Sequence, residues 1–473
     1  MDRRAFLKTA SAAVTAGYLS RGLFAAENRR KPNILMILAD DATYNDFPLY
    51  GGVNVRTPRI DRLASEGMTF SKAYLSMAIC VPCRTELYTG LYPMRSGCCW
   101  NHAPARIGTR SICHFLRDPG YRVGLTGKLH VSPRSCFPFD KVEGFEDNCV
   151  AETADYDCRG IRAYMEADKS RPFCLIVGLV LPHAVWTVGD ASHFDPEKLK
   201  LPANLADTPQ TRQDYASYLA EIEVLDQQVG DILDTLEQTG QADNTLVLFS
   251  TEQGSQFPGC KWTNYECGLH TGITLRWPGV VKPGVRTEAM IQYADILPTL
   301  IEAAGGTVPT GQFDGTSFLE VLTGKKDGHR RYTYGMHNNI PEGGPYPIRS
   351  VRDSRYRYIR NLLPERIHIQ RYVMGPMGHK HTHYWSSWML AAAEDDKAYQ
   401  LVNRYLKRPP EELYDSENDP YELNNLADNP QYADIKKRLS EELDRWMKEQ
   451  NDPGAALDTL QRYNQARGKQ DKA

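Results

Sequence analysis

Four short apolar runs, each ending in polar residues able to do chemistry, constrain this chain more than any other feature. Asn33 to Ala39 (NILMILA) runs into Asp40 and Asp41, and Tyr121 to Thr126 delivers Gly127, Lys128, Leu129 and His130. Cys174 to Leu181 delivers Pro182 and His183, and Leu246 to Thr251 ends at Glu252 and Gln253. Runs of this length alternating with helical patterns are the rhythm of a mostly parallel sheet covered on both faces. The predicted class is α/β, a large and mostly parallel sheet flanked by helices. Ligands of such open sheets bind beyond the carboxyl ends of the strands, which would bring these residues to one crevice. Any one of them alone reads more simply as a solvated strand end; four in agreement are harder to dismiss.

The length of 473 residues exceeds one core and predicts a large domain plus a smaller one. Between the third and fourth runs, Tyr215, Leu219, Ile222, Val229, Leu233 and Leu236 repeat at helical spacing and predict a core-facing helix. After Leu300, Gly305 and Gly306 open a turn-rich connection. Residues 349–360 (RSVRDSRYRYIR) then predict a basic hairpin or strand, and Ile435, Leu439, Leu443 and Trp446 an amphipathic helix. The expected division is residues 30–330 for the α/β domain and 331–473 for a C-terminal subdomain with a small antiparallel sheet and a helix. Ahead of both, Asp2 to Lys8 (DRRAFLK) and the Ala-rich stretch to Ala26 resemble a twin-arginine signal peptide over residues 1–26. This predicts a bacterial, periplasmic or secreted protein with the twin-arginine (Tat) export machinery as a partner. That route carries folded protein, so cysteine chemistry and metal loading could finish in the cytoplasm. No run is apolar enough for a transmembrane anchor, and a net charge of −3 with interspersed signs gives no field for nucleic acid. The 11 cysteines are irregularly spaced and show no disulfide framework.

CVPCR, residues 80–84, is open to several readings. A zinc knuckle needs a second ligand pair at compatible spacing, whereas Cys98 and Cys99 are adjacent. A thioredoxin-type redox pair has the same two intervening residues. Arg84, Thr89 and Gly90 add a third reading, because they complete the pattern C-x-P-C-R followed by T-G. That pattern resembles the type I sulfatases of the alkaline phosphatase superfamily. The resemblance covers nearly all of the chain after residue 30. Lys31 to Asp41 is similar to the family's first metal-binding strand, and residues 57–74 (TPRIDRLASEGMTFSKAY) to the helix and strand before the modified cysteine. Residues 126–130 (TGKLH) resemble its glycine, lysine and histidine segment, and Lys261 to Gly268 (KWTNYECG) its lysine followed five positions later by Glu and Gly. Residues 412–427 (ELYDSENDPYELNNLA) look like the family's closing motif, and residues 127–140 (GKLHVSPRSCFPFD) resemble the heparan N-sulfatase-like subgroup.

The resemblance implies that a maturase oxidises Cys80 to formylglycine, whose hydrated aldehyde is the nucleophile, while Cys83 need not be chemical. It implies a divalent cation held by Asp40, Asp41, Glu252, Gln253 and the modified Cys80. Oxygen donors throughout favour calcium, with magnesium second. Lys128 and Lys261 would hold sulfate oxygens and Arg84 the gem-diol. His183 would protonate the leaving oxygen and His130 would take the proton from the remaining hydroxyl. The family usually has Asp followed by Asn or His where this chain has the longer Glu252 and Gln253, and commonly an arginine at the position of His270. The implied function is a sulfatase acting on the O-sulfate or N-sulfate of a sulfated saccharide of glycosaminoglycan type, at a chain end. The rivals are a phosphomonoester or phosphonate hydrolase of the same superfamily and a non-catalytic sulfated-glycan-binding relative. Candidate sugar readers are Asn101, His102, His337 with Asn338, and His379, His381 and His383 of the run at residues 378–385. Arg349, Arg352, Arg355 and Arg357 are candidates for pairing with uronate or further sulfate, or else form a charged face of the second domain.

Overall fold

A strand covered on both faces must be apolar at every position, and Asn33–Leu38 (β1) is buried at all six residues. A computed structural model describes residues 30–375 and 384–470; the predicted signal peptide and the run containing His379, His381 and His383 lie outside these. The strands that follow are β2 (Met68–Phe70), β3 (Ala73–Tyr74), β4 (Arg122–Gly127), β5 (Asp140–Lys141), β6 (Phe173–Gly178) and β7 (Thr245–Ser250). Then come β8 (Ile273–Arg276), β9 (Val285–Thr287) and β10 (Ile291–Gln292). Eight of them form one sheet in the order β5-β4-β6-β1-β7-β8-β2-β9, while β3 pairs with β10. The centre is parallel, and β8 runs antiparallel to β7 and β2.

Side chains alternate across the sheet. Leu35 and Ile37 enter one core, Ile34, Met36 and Leu38 the other. Helix α1 (Cys80–Thr89) is buried at every residue and ends at Gly90, whose φ of 67° makes the left-handed turn. Helix α2 (Pro209–Gln238) starts at an N-cap, Thr208, that accepts from Thr211 N, and buries the six apolar positions expected of it.

Register decides where the crevice lies. Leu38 stands beside both Gly178 and Ser250, and Gly178 beside Gly127, so the four central strands end level and hand on their polar residues in a row. The third strand is shorter than the run Cys174 to Leu181 suggested. Beyond Gly178 the chain still follows β1 through Leu179 N to Leu38 O (2.8 Å) and Asp40 N to Leu181 O (3.1 Å), while Lys128 N takes the Gly178 carbonyl.

A second, antiparallel sheet of β11 (Thr333–His337), β12 (Ile348–Arg352), β13 (Tyr356–Asn361) and β14 (Glu411–Asp415) pairs its strands in chain order. Helix α3 (Ala433–Glu449) buries Leu439, Leu443 and Trp446. The arginines of this segment correct the expectation of a charged face or a sugar-reading patch. Arg349 is sealed against Asp452, and Arg352 and Arg357 both grip the buried Glu266. Arg357 also holds Glu422 at 2.9 Å, and only Arg355 is substantially exposed, paired with Asp415. Guanidinium groups taken out of water require such partners. Among the described residues no helix is long and apolar enough to cross a membrane.

Candidate active site

Three strand ends turn sharply. Asp41 after β1 (φ 59°), His130 after β4 (φ 47°) and Glu252 after β7 (φ 55°) all adopt the left-handed conformation. For residues with a side chain this costs on the order of 1–3 kcal/mol each, a cost that concentrates at functional sites. The turns bring Asp40, Asp41 and Glu252 to Cys80, the first residue of α1, with their ligand atoms within 4.8 Å of one another. Cys80 Sγ lies 3.5 Å from Asp40 Oδ1 and 3.0 Å from Gln253 Nε2.

Cations interleave with these carboxylates. Lys128 Nζ donates to Asp40 and Lys261 Nζ to Asp41 Oδ2 at 2.6 Å. Arg84 is fully buried; it donates to Lys128 O at 2.7 Å, and its Nε stands 2.8 Å from Glu252 Oε1. Cys83, one turn past Ile79, points its thiol at the same Glu252 oxygen (3.4 Å). Burial pushes the Cys80 thiol well above its ordinary pKa, and Asp40 adds to this. Burial opposes ionisation of Asp40 too, yet Lys128, Glu252, His183 and Arg84 together hold that carboxyl well below the usual range. Glu252 is pushed up by burial, which Asp40 reinforces against the pull of Arg84. Carboxylates this close cannot all stay ionised without more positive charge. Among the described residues Gln253 Oε1 is buried without a partner, and Gln253 Nε2 meanwhile donates to Asp41 Oδ1 at 2.7 Å. An unpaired oxygen beside converging carboxylates fits a hard, oxygen-preferring cation.

His183 Nδ1 lies 2.7 Å from the Ala184 carbonyl, which accepts only from an N–H, so in the neutral ring Nε2 is the free nitrogen. That atom faces Lys261 Nζ at 3.3 Å and Asp41 at 3.4 Å. Burial, helped by Lys261 and opposed by Asp41, lowers His183 to about 4. His130 is lowered to about 2 by burial and then Lys128, which keeps the ring neutral. Cys149, which no sequence motif marks, stands 3.9 Å from both His130 nitrogens.

The candidate readers divide. His102 is exposed, with its ring centroid 5.3 Å from that of His130. Asn101 is buried and donates to Glu342, a residue that no sequence motif singles out. His337 is a correction: it is 1% exposed, Nε2 meets Asn339 Oδ1, and the ring sits edge-on to His368 within the second sheet's packing. Asn338 spends its amide on Cys99 O. His270 stacks on Tyr44 and bonds Glu266 at 2.9 Å, which ties it to the Glu266 ion-pair network. His381 lies outside the described residues.

A family model described as Sulfatase matches residues 32–306, and one described as N-sulphoglucosamine sulphohydrolase, C-terminal, matches residues 260–367 and 387–449. An ulvan-active sulfatase of Formosa agariphila is 35% identical over 431 residues, which span 89% of this chain and 81% of that protein. The N-sulphoglucosamine sulphohydrolase of Homo sapiens is 27% identical over 481 residues, 90% of this chain and 91% of that one. The solved phosphonate monoester hydrolase of Agrobacterium radiobacter shares the fold, with a TM-score of 0.67 at 20% identity over 89% of this chain and 96% of that chain.

Proposed function

This chain belongs to the sulfatase family, with the alkaline phosphatase-like fold, and on that footing we propose a formylglycine-dependent enzyme that removes sulfate from a sulfated saccharide. The observation that carries this reading is Cys80 at the start of a buried helix, ringed by Asp40, Asp41 and Glu252 and flanked by Lys128 and Lys261. Asp40, Asp41, Glu252, Gln253 and the modified residue 80 would hold the cation, calcium first and magnesium second, which polarises the sulfuryl group and lowers the pKa of a bound hydroxyl. The hydrated aldehyde at position 80 would supply one hydroxyl that bonds sulfur as the bond to the leaving oxygen breaks, and a second whose deprotonation re-forms the aldehyde and expels sulfate; an unmodified cysteine has a single thiol and no second group of that kind. Lys128 and Lys261 neutralise the sulfuryl oxygens as charge builds. Arg84, locked between Lys128 O and Glu252, orients residue 80 from one turn along the helix. His183, once protonated at Nε2, would give that proton to the leaving oxygen, with Asp41 at 3.4 Å as the neighbouring carboxylate that favours the protonated ring. Neutral His130 takes the proton from the second hydroxyl.

The names of the relatives, ulvan-active and N-sulphoglucosamine-cleaving, support a glycan carrying O- or N-sulfate as the substrate. The same proposal includes a maturase acting on Cys80, twin-arginine export by residues 1–26 to the periplasm or beyond, and a division at about residue 330 into catalytic and C-terminal domains. Support for that division is the antiparallel sheet opening at Thr333. Fold likeness does not separate sulfate from phosphonate chemistry, since both occur on this fold. Turnover of 4-nitrophenyl sulfate and 4-nitrophenyl phosphate by the matured protein separates them: we expect the sulfate to be preferred, and preference for the phosphate would refute the reading.

A further inference from the structure

Two buried polar atoms without a partner among the described residues are Glu342 Oε2 and Arg371 Nε. Their backbones are joined, Arg371 N donating to Glu342 O at 3.1 Å. Glu342 is 2% exposed, and its other carboxyl oxygen, Oε1, is fixed by Asn101 Nδ2 at 2.5 Å. Asn101 directly precedes His102, whose ring stands over His130. Lys261 and Arg371 both act electrostatically on Glu342, and the same two cations act on His102 along with Lys128. Asn101 and His102 thus link the Glu342 carboxyl to His130, two residues past Lys128.

A structural role does not account for this group. A glutamine would accept equally well from Asn101 without placing an ionisable carboxyl where burial pushes it up to about 7. Leaving a buried carboxyl oxygen without a donor costs about 1–3 kcal/mol. A hydroxyl is the group that answers both orphans, because it donates through O–H and accepts through a lone pair. An ammonium would satisfy only Glu342.

We propose that Glu342 and Arg371 form a sugar subsite beside the sulfuryl pocket, in which one substrate hydroxyl donates to Glu342 Oε2 and accepts from Arg371 Nε. Asn101 is a positioning residue that holds the carboxyl in place. The inference rests on the sulfatase reading and adds a specificity element to it. The test uses the matured full-length chain with 4-nitrophenyl sulfate, a panel of sulfated monosaccharides, and monodeoxy analogues of whichever sugar sulfate is turned over fastest. We expect Glu342→Gln to lower the sugar-to-aryl ratio of kcat/KM at least tenfold, and Asn101→Ala to lower it less. One deoxy analogue should lose as much in the wild type as the substitution does, and lose no more in Glu342→Gln. Should Glu342→Gln fail to fold, Asn101→Ala carries the same comparison. Equal losses on aryl and sugar sulfates, an unchanged ratio, or a wild type that cleaves the aryl sulfate but no sugar sulfate would overturn the subsite. A wild type inert toward the aryl sulfate would instead strike the sulfatase reading itself, and this inference with it.

Discussion

Asp41, His130 and Glu252 hold left-handed conformations that residues with side chains avoid, and each is the means by which a strand end is turned into the crevice. Asp40, Asp41, Lys128 and Glu252 were legible because each follows a short apolar run, so that strand periodicity alone locates them. Glu342 was not, since its place depends on a hydrogen bond to Asn101 across 241 positions of sequence. His337 misled for the opposite reason: a histidine at the end of a strand looks available until the packing of His368 against it is known. The orphan Gln253 Oε1 and the crowded carboxylates lead to a prediction about the cation. Calcium at about 100 times its dissociation constant should stabilise the folded protein by about 2.7 kcal/mol, read as a rise in Tm. Asp41→Asn should largely abolish that rise, and Gln253→Leu should shift the midpoint to higher calcium. A calcium-independent Tm would refute the cation site.

The helix–sheet rhythm and the core face of α2 followed from periodicity, and so did the hairpin over residues 349–360. Its environment did not follow, because a run of arginines reads as surface until the partners are known. Those partners are Glu266, Glu422 and Asp452, which come from distant segments. Glu266 opens the short helix Glu266–Leu269, five residues after Lys261, and its backbone N–H is held by Glu422 Oε2 at 2.8 Å. The second sheet thus fixes the segment that carries Lys261. Removing one partner of a buried ion pair leaves an uncompensated charge and costs about 3–5 kcal/mol. Arg357→Met, which strands Glu266 and Glu422 with fewer partners, should lower the unfolding free energy extrapolated from urea titration by an amount of that order. An unfolding free energy within about 0.5 kcal/mol of the wild type would show that the network does not bind the two sheets together.

Over the whole molecule, buried neutral histidines set a dependence of stability on pH. Burial and then Arg408 lower His337 to about 3, and His368 is held well below its ordinary value by the same two causes. In the unfolded chain a histidine titrates near 6.5. The unfolded state therefore binds more protons below that pH, so this contribution is complete above pH 6.5 and is lost as pH falls toward 3. His337 alone accounts for about 2 kcal/mol between pH 6.5 and 5. The Tm of the wild type should fall over that interval more steeply than that of His337→Gln, and parallel curves would contradict the assignment. The account as a whole depends on the chemical state of one side chain, Cys80. The direct measurement is peptide mass spectrometry across residue 80 on protein made with and without a formylglycine-generating maturase, alongside sulfate release by the same samples. We predict that activity rises in proportion to the fraction carrying formylglycine and is absent where Cys80 is an ordinary thiol; full activity from protein with unmodified Cys80 would contradict it.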